Sequence, residues 1–461
     1  MIKLFNTLGR SLQEFVPLDK NNVKIYTCGP TVYDYQHIGN YTGYIYWDLL
    51  VRLLKVEGYG IKRVMNITDV GHLVSDADEG EDKLEKGARR EGKTARQIAD
   101  FYTDDFYRSI KELGLIEPDQ YAKATEYIPQ QVEMVRVLMD KGFAYQTEQA
   151  IYFDTGKLED YGKLTGQKLD EKEVGARSDV ITDGHKKHPQ DFALWFFTTG
   201  RFEHHEMQWE SPWGNGFPGW HLECSAIVHA TLGEPIDIHT GGVDHIGTHH
   251  TNEIAQTEAA FGVELSKFWL HNNHMMVDGQ KISKSLGNGY TLDDLAKKGF
   301  SPIDFKVLVL QSHYRSQTNF NWEALAAAKS NYTSIKAWAD LQKQPERAQQ
   351  LDNANAQKFG EKIKEAVAND LNTSEVLAAI NEQINSGSAP TEGMLKVIDD
   401  LLGLGLSTQP DITSEQKNSI VERENSRQAQ DWNKADAIRN QLKEQGIEIN
   451  DTDNGPVWSR L

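Results

Sequence analysis

Near its N-terminus the chain runs apolar strand, helix, apolar strand, and no other feature restricts the fold as much. Val23–Thr27 reads as a strand, Tyr41–Val56 has helical periodicity and ends near Gly58, and Ile61–Ile67 reads as a second strand closed by Thr68-Asp69. Strands that alternate with helices run parallel, because each helix carries the chain back to the edge it left. The same texture returns later. Pro218-Gly219-Trp220-His221 opens a helix carrying Cys224, Ile236–His239 is a strand, Gly241-Gly242 a tight turn, Thr251–Ala260 a helix and Phe268–Met276 a strand. The polar, Gly-rich stretch Lys157–His188 reads as part of an insertion with short strand candidates. The expected fold class is therefore α/β, a Rossmann-like parallel-sheet domain split by an insertion.

The rest of the chain is mostly helical by period. Asp76–Thr94 is charge-dense and reads as a loop entering a solvated helix, followed by amphipathic helices at Ala95–Leu113 and Pro129–Lys141. Trp322–Leu404 is all helix except for a Ser/Gly/Pro linker near Asn385–Gly393, and a second break falls at Gly405–Thr413. The tail holds two helices, Ser414–Gln430 and Trp432–Gln445, and two short strands, Ile447–Ile449 and Val457–Ser459. These breaks divide the chain into a sheet domain at 1–290 with an inserted subdomain at about 118–205, a linker region at 291–321, a helical bundle at 322–406 and a small α+β tail at 414–461. A length of 461 residues suits about three domains.

Composition narrows the setting. There is no apolar run of the ~18 residues a membrane span needs, and Met1–Thr7 has no apolar signal core. Two cysteines in 461 residues argue for a reducing compartment, so the expected location is cytoplasmic. A net charge of −19 excludes indiscriminate nucleic-acid binding but leaves room for a structured RNA on local basic patches.

Three constellations carry chemistry. His37-Ile38-Gly39-Asn40 falls where a helix should begin, and a helix N-terminus offers unpaired N–H groups to phosphate. Residues 37 and 40 share a helical face; the bland reading is an ordinary turn. Lys281-Ile282-Ser283-Lys284-Ser285 follows a strand and the turn Asp278-Gly279-Gln280. Two lysines on such a loop suit a pyrophosphate leaving group, whereas a plain solvated turn would need no such pattern. Cys28 ends a strand, Cys224 sits on a helix, and His249 and Glu253 are one turn apart, a plausible tetrahedral zinc set. Spacing does not choose between His249 and His250, and buried cysteines acting as small hydrophobes are the alternative.

Together these strings resemble the cysteinyl-tRNA synthetases, class I aminoacyl-tRNA synthetases. The resemblance is carried by Tyr26–Asp34, Asn66–Asp69, Pro218–Ala226, His239–Asp244, His249–Ile254 and Lys281–Asn288, and covers nearly the whole length. It implies one zinc per chain on Cys28, Cys224, His249 and Glu253, and so picks the first histidine of the pair. It places ATP, accompanied by Mg2+, against Thr31, His37, Gly39, Asn40, His239, Gly241, Asp244, Lys281 and Lys284, with His37, Asn40, Lys281 and Lys284 in catalytic roles. Gly29, Thr68 and Trp220 would border L-cysteine. The tail would bind the anticodon of tRNA(Cys) through Arg423, Arg427, Trp432 and Arg439. A monomer is expected rather than an oligomer.

Two positions depart from the commonest family forms. Asn40 replaces the second His of its signature and cannot carry positive charge; Ile282 replaces Met. The implied reaction has two steps, activation of cysteine to cysteinyl-adenylate and transfer to the tRNA 3′ end, with zinc selecting the substrate thiolate. A relative that joins cysteine to an amino sugar would share the pocket but lack the tail. A catalytically silent paralogue that binds RNA would need no intact lysine loop. The presence of both tail and loop favours the synthetase reading.

Overall fold

The computed structural model describes residues 1–461 apart from 71–72, 76–78, 167–185, 284–285, 347–350 and 453. The N-terminal hairpin of β1 (Lys3–Asn6) and β2 (Ser11–Glu14) precedes β3 (Val23–Thr27), whose residues are almost all buried. A strand covered on both faces belongs inside a parallel sheet flanked by helices. Helix α1 (Ile38–Val56) follows, then β4 (Ile61–Ile67), β5 (Leu73–Ser75), β6 (Glu79–Asp82), α2 (Lys83–Glu91), α3 (Ala95–Glu112) and β7 (Gln120–Lys123).

The insertion comes next: α4 (Ile128–Asp140), β8 (Ala144–Gln146), β9 (Ala150–Phe153), β10 (Phe192–Phe197) and β11 (Gly216–Pro218). These strands form a four-stranded antiparallel sheet in the order β11-β10-β9-β8, with every residue of β10 buried. Its limits differ from the 118–205 of the sequence reading. Gln120–Lys123 pairs with β4 in the main sheet, and Gly216–Pro218 still pairs with β10. Much of the polar stretch expected to hold strands, 167–185, lies outside the described residues.

The chain then re-enters the main sheet through α5 (Trp220–Thr231), β12 (Ile236–Gly242), α6 (Asp244–Gly247), α7 (His249–Phe261) and β13 (Ser266–Asn272). The main sheet is five-stranded, in the order β13-β12-β3-β4-β7, and all its pairings are parallel. Strand order reverses between β3 and β12. In open α/β sheets the ligand crevice opens at the C-terminal ends of the strands at such a reversal. Gly241-Gly242 is not the expected turn: both glycines stay in β12, paired with His271 and Asn272 of β13. Nor is Phe268–Met276 one strand. It breaks at Asn273-His274, beyond which β14 (Met275–Val277) joins β15 (Gln280–Lys281) and β16 (Thr318–Phe320) in a separate sheet.

Helices α8 (Leu292–Lys297), α9 (Pro302–Leu310), α10 (Trp322–Asp340), α11 (Asn353–Ala368), α12 (Thr373–Ser386) and α13 (Glu392–Leu402) form the bundle. Its core is continuous with that of the sheet domain, so α1 is buried around most of its circumference. The turn between α11 and α12 puts two non-glycine residues, Asp370 and Leu371, at positive φ (59° and 57°). The Asp370 carboxylate holds this turn by accepting from Phe5 N (2.8 Å), Tyr314 Oη (2.7 Å) and Arg315 Nε (2.8 Å). The tail is α14 (Ser414–Gln428), α15 (Trp432–Glu444) and the antiparallel pair β17 (Ile447–Thr452) and β18 (Gly455–Arg460), around a small core that includes Ile420, Ile438, Leu442 and Trp458.

Candidate active site

A cavity of about 510 Å³ opens at the sheet's reversal point, lined by residues that follow β3, β4 and β12 and by the N-termini of α1 and α5. The loop after β3 is strapped to the end of β4 by Val32 N to Thr68 O (3.2 Å) and Thr68 N to Pro30 O (3.0 Å). Gly29 is required there, since a Cβ would lie 1.7 Å from the Asn66 carbonyl oxygen. Asn66 then ties two of the expected cysteine-binding residues together. Its Oδ1 accepts from Gly29 N (2.7 Å) and its Nδ2 donates to Thr68 Oγ1 (3.1 Å). Thr68 Oγ1 donates in turn to Glu223 Oε2 (2.9 Å), and burial pushes the Glu223 carboxyl far up.

Cys28, Cys224, His249 and Glu253 meet beneath this wall. All four are buried, and their ligand atoms lie within 4.8 Å of one another. Cys28 N donates to Thr240 O (3.1 Å), which fixes the first thiol at the end of β3. His249 and Glu253 project from one face of α7. His249 turns its Nδ1 to His221 Nδ1 (3.0 Å) and its Nε2 towards Glu253 Oε1 (3.0 Å), while its ring stacks on Trp220 with centroids 4.2 Å apart. Glu253 Oε1 is nonetheless buried without a hydrogen-bond partner among the described residues. Burial pushes the Cys28, Cys224 and Glu253 pKa values up. Three groups that ionise to anions, packed against imidazole lone pairs, are what a borderline-soft dication such as zinc would stabilise. The residues present therefore fit a metal ion.

A second quartet, Cys28, His239, His250 and Glu253, also converges. Cys28 and His249 border the cavity, whereas His239 and His250 do not. His239 was expected beside adenosine; it lies behind the cavity, fully buried, with Nε2 2.8 Å from Glu253 Oε2 and its ring stacked on Trp269. His250 lies 3.2 Å from Cys28 Sγ through Nε2 and 2.8 Å from His271 Nε2 through Nδ1, and His271 Nδ1 reaches Thr7 Oγ1 at 2.7 Å. Burial holds both His250 and His271 far below the usual histidine range, so both rings are neutral.

The segments expected to meet phosphate, His37–Asn40 and Lys281–Ile282, line the same cavity. His37 caps α1 in a reciprocal box: Asn40 N donates to His37 Nδ1 (3.3 Å), and His37 N donates to Asn40 Oδ1 (3.0 Å). With Nδ1 accepting, a neutral His37 carries its proton on Nε2. Ile282 packs where a Cβ on Gly39 would be, 2.7 Å away, so the lysine loop folds directly over the start of α1. Lys281 Nζ is 3.8 Å from Asp244 Oδ1, and His274 Nε2 is 3.1 Å from the same atom. The bond from His274 is the main reason the Asp244 carboxyl titrates below its ordinary value. Thr31, Gly241 and Trp220 line the cavity as well. Lys284 and Ser285 lie outside the described residues.

The tail residues divide. Arg423 is 2% exposed and gives both Nη atoms to Asp451 at 2.8 Å, so it holds the tail together from inside instead of facing outward. Arg427 is half-exposed beside Asp451 with its guanidinium 5.8 Å from the Trp432 ring, and Trp432 is 56% exposed. Arg439 is exposed on α15.

The profile of the tRNA synthetases class I (C) catalytic domain matches residues 14–330. Over its full length the chain is 38% identical to the cysteine–tRNA ligase of Treponema denticola, covering 100% of both. It is 40% identical to cysteine–tRNA ligase 1 of Burkholderia lata, over 98% of this chain and 96% of that one. The chain belongs to the cysteine–tRNA ligase family of class I aminoacyl-tRNA synthetases. As a member of that family it is a ligase. Among solved structures, the methionyl-tRNA synthetase of Mycobacterium tuberculosis with methionyl-adenylate shares the fold, with a TM-score of 0.61 and 12% identity over 84% of this chain and 93% of that one.

Sequence reading gave no role to Asn66, Glu223 or His271, and raised His250 only as the alternative to His249 that the resemblance set aside. His271 had a usable signal: a histidine directly after the apolar run Phe268-Trp269-Leu270. Glu223 had one too, as an acid beside Cys224 on a helix whose neighbours are apolar. Among the described residues no helix is long and apolar enough to cross a membrane.

Proposed function

We propose that this ligase activates L-cysteine with ATP to give cysteinyl-adenylate and transfers the cysteinyl group to the 3′ end of tRNA(Cys). The observation that carries the reading is the sharing of one cavity by a buried thiol–imidazole–carboxylate quartet at one end and two phosphate motifs at the other. Cys28, Cys224, His249 and Glu253 would hold zinc. The alternative quartet is disfavoured because its histidines do not border the cavity, and a metal that meets substrate needs an open position. When bound, zinc supplies a site for a thiolate that a protonated serine hydroxyl cannot match.

The chain's own groups do the rest. Thr68 Oγ1 and the Gly29 backbone, both held by Asn66, face the amino acid's polar end, with Trp220 as the opposite wall. The cysteine carboxylate oxygen attacks the α-phosphorus of ATP, the bond from that phosphorus to the α,β-bridging oxygen breaks, and pyrophosphate leaves; Mg2+ would accompany the phosphates. No side chain acts as nucleophile, so the rate comes from positioning and from donors aimed at the phosphates. Those donors are His37 Nε2–H, the amide of Asn40, Lys281 and Lys284. Gly241 and Asp244 border the nucleoside, and His239 supports Glu253 from behind. A ribose hydroxyl of the terminal adenosine of tRNA then attacks the adenylate carbonyl and AMP leaves. Arg427, Trp432 and Arg439 contact the anticodon end.

The test is cysteine-dependent ATP–pyrophosphate exchange followed by charging of purified tRNA, each compared with serine. Exchange with cysteine but no charging of tRNA would favour a sugar-joining relative. No exchange with cysteine would overturn the reading.

A further inference from the structure

Two large aromatic rings at and beside the cavity's rim stay half-exposed. Tyr35, on the loop after β3, lines the cavity and is 44% exposed; Phe101, on α3, is also 44% exposed. Their rings meet edge to face with centroids 6.1 Å apart, and both lean on Tyr102, at 5.0 Å and 5.1 Å. Tyr102 is itself fixed, buried against the core with its hydroxyl donating to Glu91 Oε1 at 2.6 Å. The two outer rings therefore pack against a fixed neighbour while each stays 44% exposed.

Cations surround them. Lys93 Nζ lies 4.7 Å from the centroid of Phe101. Arg90, half-exposed, lies 3.3 Å from Asp34 and 3.3 Å from Tyr102 Oη. Lys83 borders the cavity with Nζ 5.5 Å from the centroid of Tyr33. Between residues 83 and 93 the chain has five lysines and arginines against two glutamates, although the whole protein carries −19. A positive segment here is thus a local departure from a strongly acidic surface. Asp34 and Glu91 partner Arg90 and Lys93 and orient them.

Rigid exposed rings beside cations are the recognition chemistry of single-stranded nucleic acid, in which bases stack on aromatic faces and phosphates meet lysine and arginine. We propose that Tyr35 and Phe101, with Lys93, Arg90 and Lys83, form a stacking platform for the unpaired 3′ end of tRNA as it enters the cavity. The proposal rests on the tRNA-charging reading above and names where on the rim its last nucleotides lie. The platform is continuous with the cavity in which the acyl group must be taken up, which separates this occupant from a protein partner or a second copy of the chain. It also predicts a division of labour: the platform serves the transfer step alone, because activation of cysteine involves no polynucleotide.

The experiment compares full-length wild-type protein with Phe101→Ala, Phe101→Tyr and Lys93→Gln. Cysteine-dependent ATP–pyrophosphate exchange is measured without tRNA. Transfer is measured as a single turnover from preformed adenylate at several tRNA concentrations. Phe101→Ala should leave exchange unchanged and lower transfer at limiting tRNA by about 5- to 150-fold, the range for loss of stacking on one base. Phe101→Tyr should restore transfer, and Lys93→Gln should lower the salt dependence of tRNA binding. Transfer by Phe101→Ala at the wild-type rate overturns the platform, as does an equal fall in exchange and transfer, which would make the ring a structural support. Normal charging with a halved sedimenting mass would make the patch a contact between copies instead. A wild-type protein that neither exchanges nor charges would instead sink the underlying reading, so the two failures are distinguishable.

Discussion

The Nε2 atom of His239 lies 2.8 Å from Oε2 of Glu253, with both side chains fully buried. Burial alone pushes the Glu253 carboxyl up, and the neighbouring imidazole is what draws it back down. Burial outweighs this contact and the carboxyl stays raised, so the role of His239 is to oppose that shift and to hold Glu253 aimed at Cys28, Cys224 and His249. Loss of such a supporting partner typically costs 10–100-fold in metal affinity. His239→Ala should weaken zinc binding by about that factor, measured by competition with a chromophoric chelator, and His239→Gln should recover part of it through its amide donor. Unchanged affinity in His239→Ala would remove His239 from the support of the site.

Cys28 bears a different load, because it is the thiol that borders both the quartet and the cavity. Cys28→Ser should raise the KM for cysteine in pyrophosphate exchange well beyond the ~10–100-fold cost of losing a supporting group, with little change in the KM for ATP. Stripping zinc with a chelator should do the same, and added zinc should restore exchange in the wild type only. An enzyme that is metal-free by elemental analysis and still selects cysteine over serine would contradict the assignment.

Asn40 has a structural task that its replacement of histidine did not reveal. Its side-chain oxygen accepts from His37 N at 3.0 Å, half of the box that sets the first turn of α1. Asn40→Ala should therefore cost about 1 kcal/mol of stability, the usual price of a cap, and also slow adenylate formation as His37 loses its orientation. Asn40→His should retain much of the exchange rate, since a protonated ring is a stronger, charge-assisted phosphate donor. Thermal melts read the first effect and exchange kinetics the second. An Asn40→Ala protein with an unchanged exchange rate would place Asn40 outside the chemistry.

Local pattern reveals some of this molecule and hides the rest. Val23–Thr27 and Ile61–Ile67 were legible end to end because each is a short segment rich in apolar residues and bounded by turn signals, despite Lys24, Lys62 and Arg63 within them. The convergence of Cys28, Cys224, His249 and Glu253, and the place of His37–Asn40 and Lys281 on the cavity, were legible because chemistry-bearing residue types stand out beside such elements. Gly241-Gly242 misled because glycine normally marks a turn; here the strand continues on the strength of pairing with His271 and Asn272, which are distant in sequence. The turn at Asp370-Leu371 was invisible for the converse reason. It contains no glycine, and what holds it is a carboxylate reaching Phe5 and Tyr314, more than fifty residues away in each case. Arg423 looked like a surface cation because nothing local says that Asp451 will meet it.

Lys306 offers a test by pH. It is 1% exposed, with Nζ 3.5 Å from Asp48 on α1 and 3.3 Å and 3.2 Å from the carbonyls of Leu113 and Gly403. Burial lowers its pKa to about 8, against about 10.4 when unfolded. Between these values the unfolded chain binds more protons than the folded one, so stability conferred at this site rises as pH increases from about 8 to 10.4. Below pH 8 the lysine is charged in both states and its contribution is flat. Relative to Lys306→Met, the wild type should therefore gain up to about 3 kcal/mol across that window, read from urea unfolding at several pH values. A difference between the two proteins that does not change with pH would show that Lys306 titrates normally.

The tail is joined to the bundle in a way that decides how its function can be tested. Gln344 exchanges two hydrogen bonds with the Trp458 backbone, at 2.9 Å and 2.8 Å, and the buried carboxylate of Asp340 is paired with Arg460. Removing Ser414–Leu461 would leave both groups without these partners, and unpaired buried polar groups cost about 1–3 kcal/mol each. A truncated protein that lost pyrophosphate exchange would therefore say nothing about tRNA. Point variants avoid this. Arg427 lies 3.0 Å from Asp451, but Asp451 keeps Arg423 when Arg427 is removed, so Arg427→Ala should fold. It should weaken tRNA binding, and the slope of log K against log salt should fall by about one, the signature of one lost phosphate contact. Trp432→Ala should weaken binding by about fivefold or more with little change in slope, as expected for a lost stacking surface. Arg423→Ala, in contrast, should melt the tail at lower temperature, since it strips Asp451 of its bidentate partner from inside. Filter-binding titrations at several salt concentrations separate the three. Wild-type tRNA affinity in both Arg427→Ala and Trp432→Ala would show that this face of the tail does not bind tRNA.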